Sequence, residues 1–320
     1  MARSWQDSIY QQRAELAEVL REPLATLADK CVPFWGDRLC INQVLREEHS
    51  NIPFCNFLYA MNTEHKQISD NVGATGIQRG HFGRDRSDRP YMQEQMPEWG
   101  FLLSDAYISH FTHHPALTAL QVVRKGSRNL GFIGANFKLR DLPVTSELYE
   151  EPGEWRQIKG DPAIRGTVFQ QSRTDSPMDQ NMEQSLSILE EFITERGVFQ
   201  CQIHFSSSQA IIWMRDNPFL YRMLDREALI DPDICLVYPS YHYDRNAAIP
   251  QGEIGKILDN MCTLRLNDET IYLRTASINI YNGMVSLTFS CDGSHYMRYD
   301  EFLQKETTFW FGEGVQTPEA

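Results

Sequence analysis

Hydrophobic residues recur at helical spacing in the first part of the chain. From Ser4 to about Asp29 the apolar positions are Trp5, Ile9, Leu16, Val19, Leu20, Leu24 and Leu27. This spacing predicts an amphipathic helix, and Pro23 within it predicts a kink or a division in two. A second short helix is predicted from about Arg38 to Glu48. Residues 1–50 therefore form a helical arm, which either packs on the following sheet or serves as a dimerisation helix.

The pattern changes to that of strands from Phe54 onward. The segments Phe54–Met61 and Lys66–Val72 are predicted to pair as a hairpin. A long polar crossover follows from Gly73 to Arg89, and three further strands are predicted: Gly100–Ser109, Ala116–Arg124 and Leu130–Lys138. Residues 51–145 are thus expected to form an antiparallel sheet domain.

The second half of the chain mixes helical and strand patterns. A proline-rich connector is expected at 146–180, a second domain at 181–310 and a tail at 311–320. The predicted elements are a helix at Gln180–Glu195, strands at Phe199–Ser206 and Gln209–Met214, a helix at Pro218–Leu229, a strand at Asp233–Tyr238, a helix at Ile254–Leu264, and a hairpin of Thr270–Tyr281 with Met284–Cys291. In that hairpin Asn282-Gly283 predicts a type I′ turn.

Five pieces of the first domain, in order, resemble the Cache (PDC sensor) family, which is PAS-like. They are Ile68–Asn71, Gly83–Tyr91, Leu103–Ser109, Ala116–Arg124 and Leu130–Phe137. The resemblance covers about ninety residues. It implies an α+β fold in which the helical arm precedes a Cache-like antiparallel sheet domain. The second α+β domain is not recognised, and another PAS-like sheet is one option for it.

The resemblance also implies a ligand site between the sheet and the crossover. The residues expected to contact a ligand are Arg89, Tyr91, Tyr107, Asn136, Arg86, Ser69, Asp70 and Thr118. An arginine fork binds a carboxylate through two hydrogen bonds, and tyrosines offer a flat wall with a hydroxyl. The alternative is that Asp85 and Asp88 pair with the arginines and only fasten the crossover to the sheet.

Two departures from the family bear on the ligand. The closing aspartate of the family, which often holds an ammonium group, is Asn136 here, and Tyr91-Met92 replaces its Trp-Tyr pair. The anionic partner for an amine is therefore missing. An uncharged or anionic ligand suits Asn136 and Arg89 better than an amino acid does.

Composition narrows the classes of partner. The net charge is −13, which disfavours nucleic acid and membrane surfaces as partners. No secretory signal and no membrane-spanning segment is expected. The seven cysteines are odd in number and widely spaced, as is typical of free thiols in a reducing cytoplasm.

No cofactor, metal or catalytic residue is predicted. The glycine-rich stretch from Gly73 to Gly83 lacks a nucleotide-binding pattern. Cys201 with His204 and Cys291 with His295 suggest zinc only weakly, because their spacings do not match loop-borne zinc ligands.

The sequence therefore favours a cytoplasmic small-molecule sensor that acts through an unidentified signalling protein and forms a homodimer through its N-terminal helix. It is more consistent with a sensor than with an enzyme. The main alternative is an enzyme whose second domain gathers His204, Cys291, His295 or Tyr238 in a cleft, with the first domain regulatory. A third reading is a scaffold whose pocket is filled by side chains near Tyr107.

Overall fold

The computed structural model describes residues 5–96, 100–110, 112–143, 172–291, 293–305 and 309–310. The chain divides into two compact units, Met1–Glu150 and Glu151–Ala320. Each combines helices with an antiparallel sheet, so the predicted α+β class is confirmed. Most of the predicted connector and the whole predicted tail lie outside the described residues.

Both predicted helices of the arm are present. Helix α1 is Trp5–Cys31 and helix α2 is Arg38–Glu48. Pro23 lies inside α1, which is one continuous helix, so the predicted division is wrong. Leu20, Leu24 and Leu27 are fully buried on both sides of Pro23, and this packing holds the helix together where one backbone hydrogen bond is lost. Helix α2 follows Asp37, whose carboxylate accepts the first free N–H groups of that helix.

The first unit contains a seven-stranded sheet. Its strands are β1 (Phe57–Asn62), β2 (Asn71–Gly73), β3 (Gly76–Gln78), β4 (Phe101–Leu103), β5 (Tyr107–Ile108), β6 (Pro115–Lys125) and β7 (Arg128–Lys138). Their order is β3-β2-β1-β7-β6-β4, with β5 also paired to β6. The last two strands match their predictions closely, and the hairpin and crossover differ in detail.

Local chemistry explains these differences. Phe54 has a φ of 61°, which an extended strand does not allow, so β1 begins three residues later than predicted. The predicted strand at 100–109 is divided because the Ser104 hydroxyl accepts the N–H of Thr118 at 3.0 Å and takes the place of a strand partner. The long polar crossover contributes the short strand β3.

Helix α1 and the side chain of Tyr59 lie on opposite faces of this sheet. Helices α1 and α2 pack against its strands, and Arg21 of α1 lies over the ring of Phe101. The next residue, Leu102, packs instead with Tyr59 and Leu120. Because side chains alternate along a strand, the face with Tyr59 is the one turned away from α1. The helical arm packs on the sheet, which is the simpler of the two roles considered for it. A role of the arm in dimerisation stays a prediction.

The second unit has a six-stranded sheet in the order β10-β9-β8-β11-β12-β13. The strands are β8 (Val198–His204), β9 (Gln209–Met214), β10 (Asn217–Leu224), β11 (Leu273–Asn279), β12 (Met284–Phe289) and β13 (Ser294–Arg298). The helices are α3 (Pro177–Gln180), α4 (Met182–Glu195), α5 (Arg226–Ile230), α6 (Ile254–Leu266) and α7 (Tyr299–Gln304). In this sheet β8, the first strand along the chain, pairs with β11, the fourth. In the first sheet β1 pairs with β7, the last strand along the chain, so the two topologies differ.

Two predicted elements of the second unit are wrong. The segment predicted as a helix at 218–229 is the edge strand β10 followed by the short α5. Pro218 suits that edge, where the pairing with β9 is also irregular. The segment predicted as a strand at 233–238 is a 3₁₀ helix, Pro232–Val237. It begins where the Asp231 carboxylate accepts the N–H of Asp233 at 2.9 Å.

The predicted hairpin of the second unit is present, but its turn is different. Asn279 and Met284 are paired, so the loop contains four residues rather than two. Gly283 has a φ of 71° and Asn282 does not have a positive φ, which excludes type I′. The Asn279 side chain accepts the N–H groups of Tyr281 and Asn282 and so stabilises the longer loop.

Candidate functional site

Three tyrosines and one arginine come together on the face of the first sheet that is turned away from α1. We call Tyr59, Arg86, Tyr91 and Tyr107 the tyrosine cluster. The Tyr59 hydroxyl donates to the Tyr91 hydroxyl at 3.1 Å, and the rings of Tyr91 and Tyr107 are 5.7 Å apart. The guanidinium carbon of Arg86 lies 3.8 Å from the centre of the Tyr59 ring. The structure therefore brings Arg86, Tyr91 and Tyr107 together, as the sequence predicted.

The backbone of the crossover places Arg86 inside the unit. The N–H of Arg86 donates to the carbonyl of His65 at 3.0 Å, and the N–H of Gln67 donates to the carbonyl of Arg84 at 2.8 Å. These bonds tie the crossover to the segment that follows β1. They direct the Arg86 side chain beneath the crossover, where the residue is only 7% exposed.

The partners of Arg86 are neutral. Its guanidinium donates to Gln67 Oε1 at 2.8 Å, to Asn71 Oδ1 at 3.2 Å and to the Tyr91 hydroxyl at 3.2 Å. Burial raises the pKa of Tyr107 to about 12 and that of Tyr59 well above its ordinary value, so both phenols are uncharged at neutral pH. Among the residues that the structure describes, no carboxylate pairs with Arg86.

A second polar group adjoins the cluster. The Tyr107 and Thr118 hydroxyls are 2.7 Å apart, and Asn136 Nδ2 donates to the Tyr107 hydroxyl at 3.3 Å. Thr118 and Asn136 are directly paired on strands β6 and β7, so the strand register itself brings them to one point. Five of the predicted residues thus lie in one continuous group around Tyr107, namely Arg86, Tyr91, Tyr107, Thr118 and Asn136.

The crossover carries further positive charge beside Arg86. Burial lowers the pKa of Arg84, and the adjacent charges of Arg86 and Arg89 lower it further. The positive charges of Arg84, Arg86 and Arg89 repel one another, and an anion bound near them would relieve this repulsion.

Arg89 is placed differently from Arg86. Its guanidinium is 3.4 Å from the Asp88 carboxylate, and its side chain is 14% exposed. This is the fastening pair that the sequence offered as the alternative to ligand binding. Both arginines were predicted to contact a ligand, but the structure places Arg86 in the tyrosine cluster and pairs Arg89 with Asp88.

Ser69 and Asp70 lie apart from the cluster. The Ser69 hydroxyl accepts the N–H of Ala60 at 2.7 Å. The Asp70 carboxylate is held by helix α2, since it accepts hydrogen bonds from Arg38 at 2.9 Å and from Asn42 at 2.8 Å. Ser69 therefore fastens the segment before β2 to β1, and Asp70 fastens it to α2.

We expect Asp70→Ala to destabilise the first unit by about 2 kcal/mol, since charged hydrogen bonds contribute about 1.5–3 kcal/mol. Hydrogen exchange in peptides from α2 measures this change. Asp29→Ala, at an exposed position of α1, is the control and should have little effect. Ligand affinity should be unchanged in the Asp70 variant at a temperature where it remains folded. A loss of affinity without unfolding would contradict the placement of Asp70 outside the site.

Sequence reasoning missed three members of the site, namely Tyr59, Gln67 and Asn71. A signal for Tyr59 was present, because Phe57, Tyr59 and Met61 alternate on β1 and share one face. Tyr59 is paired with Gly134 on β7, where the missing side chain leaves room for its ring. No local pattern marks Gln67 and Asn71, which are recognised only through their bonds to Arg86.

The cluster is closed by its own side chains in this conformation. Tyr59, Tyr91 and Leu120 are buried, and Met92, Met96 and Phe132 pack against them. A ligand must therefore displace part of this layer. Methionine suits that role because its side chain is unbranched and adapts to different shapes.

The four residues considered for catalysis in the second unit do not converge. His204 alternates with the buried Ile203 on β8 and faces away from the core, whereas His295 alternates with exposed neighbours on β13 and shares the side of Met297. Tyr238 packs edge-on against Phe192 of α4, and Cys291 is exposed. Within the described ranges there is also no group of three His, Cys, Asp or Glu side chains arranged to hold a metal ion.

Comparison with known proteins gives structural neighbours only. No protein-family model matches the chain, and no curated protein matches it. Among solved structures, it is similar to the sensory domain of the Campylobacter jejuni chemoreceptor Tlp3 with isoleucine bound, at 15% identity and a TM-score of 0.34, over 43% of this chain and 56% of that one. The ligand-binding domain of the Pseudomonas fluorescens chemoreceptor CtaA in complex with L-isoleucine matches at 13% identity and 0.32, over 43% and 54%.

A third neighbour is the ligand-binding domain of the Pseudomonas aeruginosa amino acid chemoreceptor PctC in complex with GABA, at 15% identity and a TM-score of 0.32, over 42% of this chain and 60% of that one. The chain thus spans little more than half the length of these three solved chains. The likeness is too loose to transfer a ligand from these receptors.

Among the helices of the described residues, none combines the length and the hydrophobicity that a membrane span requires.

Proposed function

We propose that the first unit binds a small carboxylate at the tyrosine cluster and acts as a small-molecule sensor. The observation that carries this proposal is the buried guanidinium of Arg86, which has neutral partners only among the described residues. A buried charge without a counter-charge is costly. An incoming carboxylate would supply that counter-charge and could accept two parallel hydrogen bonds.

The surrounding groups favour an acid over an amino acid. Asn136 offers an amide near the Tyr107 hydroxyl, where an ammonium group would need a carboxylate. Arg84 and Arg89 add positive charge close to Arg86. Tyr91 and Tyr107 present ring faces to the non-polar part of a ligand.

Binding would act by changing the population of two conformations. The crossover residue Arg86 contacts Gln67 and Asn71, so a ligand that draws the guanidinium toward itself alters the contacts between the crossover and β2. The ligand can shift the balance only by the difference in its affinity for the two states. The output passes, in this proposal, to a signalling protein. Free thiols at all seven cysteines support a reducing, cytoplasmic location.

A thermal-shift screen of the intact chain against carboxylates, amino acids, purines and amines tests the proposal. We expect carboxylates to raise the melting temperature. Arg86→Met should lower the affinity for the best of them about 10- to 100-fold, which corresponds to the loss of about 1.5–3 kcal/mol of charged hydrogen bonds. Arg86→Lys keeps the positive charge but loses the guanidinium fork, so its affinity should lie between those of the unmodified chain and Arg86→Met.

Arg79→Met is the matched control, since Arg79 is an exposed arginine of the same crossover. It should bind as tightly as the unmodified chain. Arg89→Ala shows whether the second arginine contributes. The proposal is wrong if no compound stabilises the unmodified chain, or if the best compound stabilises Arg86→Met equally well.

A further inference from the structure

The second unit contains a small aromatic pocket at one end of its sheet. We call it the Tyr241 pocket and define it by Phe199 at the start of β8, Arg215 in the turn between β9 and β10, Tyr241 and Asp244 in the loop after the 3₁₀ helix, and Tyr281 in the turn between β11 and β12. The free space is about 10 Å³, which is close to the minimum that holds one water molecule.

The walls of this pocket are fixed by the backbone. The N–H of Tyr241 donates to the carbonyl of Glu195 at 2.7 Å, and the N–H of Arg215 donates to that of Gly197 at 2.9 Å. Gly197 has a φ of 75°, and a side chain there would come within 2.7 Å of the Tyr241 ring. Glycine is therefore required for the ring to rest on the chain at this point.

The pocket presents negative charge beside aromatic faces. The rings of Phe199 and Tyr281 are 5.5 Å apart, and the Tyr281 hydroxyl donates to Asp244 Oδ2 at 3.0 Å. Hydrogen bonds from the N–H of Asn246 and from Tyr281 lower the pKa of Asp244, so the carboxylate is ionised at neutral pH. The carbonyl of His242 faces the same space. Aromatic faces together with a carboxylate recognise organic cations.

The guanidinium of Arg215 now occupies this environment. Its carbon lies 4.8 Å from the centre of the Tyr241 ring. Its distances to Asp244 Oδ2 and to the His242 carbonyl are all 3.4 Å, beyond the usual range of a protein hydrogen bond. The side chain is also 29% exposed. Arg215 is thus a partly exposed occupant whose polar contacts to Asp244 and His242 are all long.

We propose that the Tyr241 pocket binds an organic cation, a guanidinium or an alkylated ammonium group, which takes the place of Arg215. Tyr241 provides the ring face, and Asp244 and the His242 carbonyl provide the acceptors. This site belongs to the second unit and does not depend on the carboxylate site of the first. The net charge of −13 favours the approach of a cation.

Calorimetric titration of the intact chain with methylguanidinium chloride and with choline chloride tests this proposal. Removal of the resident guanidinium in Arg215→Ala should strengthen binding of the preferred cation at least about tenfold, because the ligand no longer competes with it. The cation that binds to Arg215→Ala with the higher affinity is the one that the site prefers. Arg245→Ala, an exposed arginine in the same loop, should leave the affinity at the level of the unmodified chain.

Two further measurements make the result specific. The neutral isostere of choline, 3,3-dimethylbutan-1-ol, and sodium chloride at equal ionic strength should not bind. Tyr241→Leu introduced into Arg215→Ala should remove the tighter binding, and a melting curve establishes that the double variant is folded. The proposal is overturned if neither cation binds to Arg215→Ala, if the neutral isostere binds as well as choline does, or if the folded double variant retains full affinity.

Discussion

Asp179→Ala is expected to destabilise the second unit by about 3–5 kcal/mol, the cost typical of breaking a buried ion pair. The Asp179 carboxylate accepts two hydrogen bonds from Arg265, at 2.9 and 2.8 Å, and both side chains are at most 2% exposed. Removal of the carboxylate leaves the guanidinium of Arg265 buried with the Leu273 carbonyl as its remaining acceptor at 3.0 Å. Hydrogen exchange in peptides from α6 measures the effect on this unit alone.

Two variants separate the ion pair from other causes. Asp175→Ala removes an acid whose side chain is 67% exposed, and it should cost less than about 1 kcal/mol. In Asp179→Ala/Arg265→Met neither charge of this buried pair is left, so much of the stability should return. If the double variant is less stable than Asp179→Ala, the unpaired charge is not the cause.

The same pair makes the second unit sensitive to acid. Burial alone would raise the pKa of Asp179, but the hydrogen bonds from Arg265 and Ser176 outweigh it and lower the pKa. A carboxylate with a lowered pKa in the folded state stabilises fully above its unfolded value of about 3.9. That contribution is lost as the pH falls through the lowered folded-state value. Between about pH 5 and pH 2, Asp179→Asn should therefore lose less stability than the unmodified chain.

Gly134→Ala is expected to destabilise the first unit by about 3 kcal/mol, at the upper end of the usual cost of overpacking a core. A side chain at Gly134 would come within 2.6 Å of Cε2 in the Tyr59 ring. That ring is buried and carries the guanidinium of Arg86 on its face, so it has little freedom to move. Urea unfolding followed by hydrogen exchange in peptides from β7 measures the loss.

The clash predicts a specific compensation. In a Tyr59→Leu background the ring is absent, and Gly134→Ala should then cost less than about 1 kcal/mol. Gly252→Ala is the control, because a side chain there meets no atom within 4 Å. Equal costs of Gly134→Ala in both backgrounds would show that the ring of Tyr59 does not rest on Gly134.

Stability and function are linked at this position. Tyr59 contacts both Arg86 and Tyr91, so displacement of its ring disturbs the two groups proposed to hold the ligand. Folded Gly134→Ala should therefore bind the carboxylate more weakly. The Asp179 variants, whose change lies in the second unit, should bind it as the unmodified chain does.

Much of the first unit was predictable because its signals are local. The helical spacing of α1, the boundaries of α2 and the long strands β6 and β7 all follow from residues that are neighbours in the chain. The meander also places Thr118 beside Asn136. The meander therefore brings together three side chains of the predicted site, those of Tyr107, Thr118 and Asn136.

The sequence by itself determined the α+β class, most of the helices and long strands, and a polar group around Tyr107, because each of these depends on periodicity or on adjacent strands. Only the tertiary structure decided which arginine of the crossover is buried. Arg86 rather than Arg89 lies under the crossover because backbone bonds to His65 and Gln67 set its path. These bonds join segments about twenty residues apart, and no local pattern specifies them. The same holds for Asp70, whose carboxylate is claimed by α2 from 28 residues away.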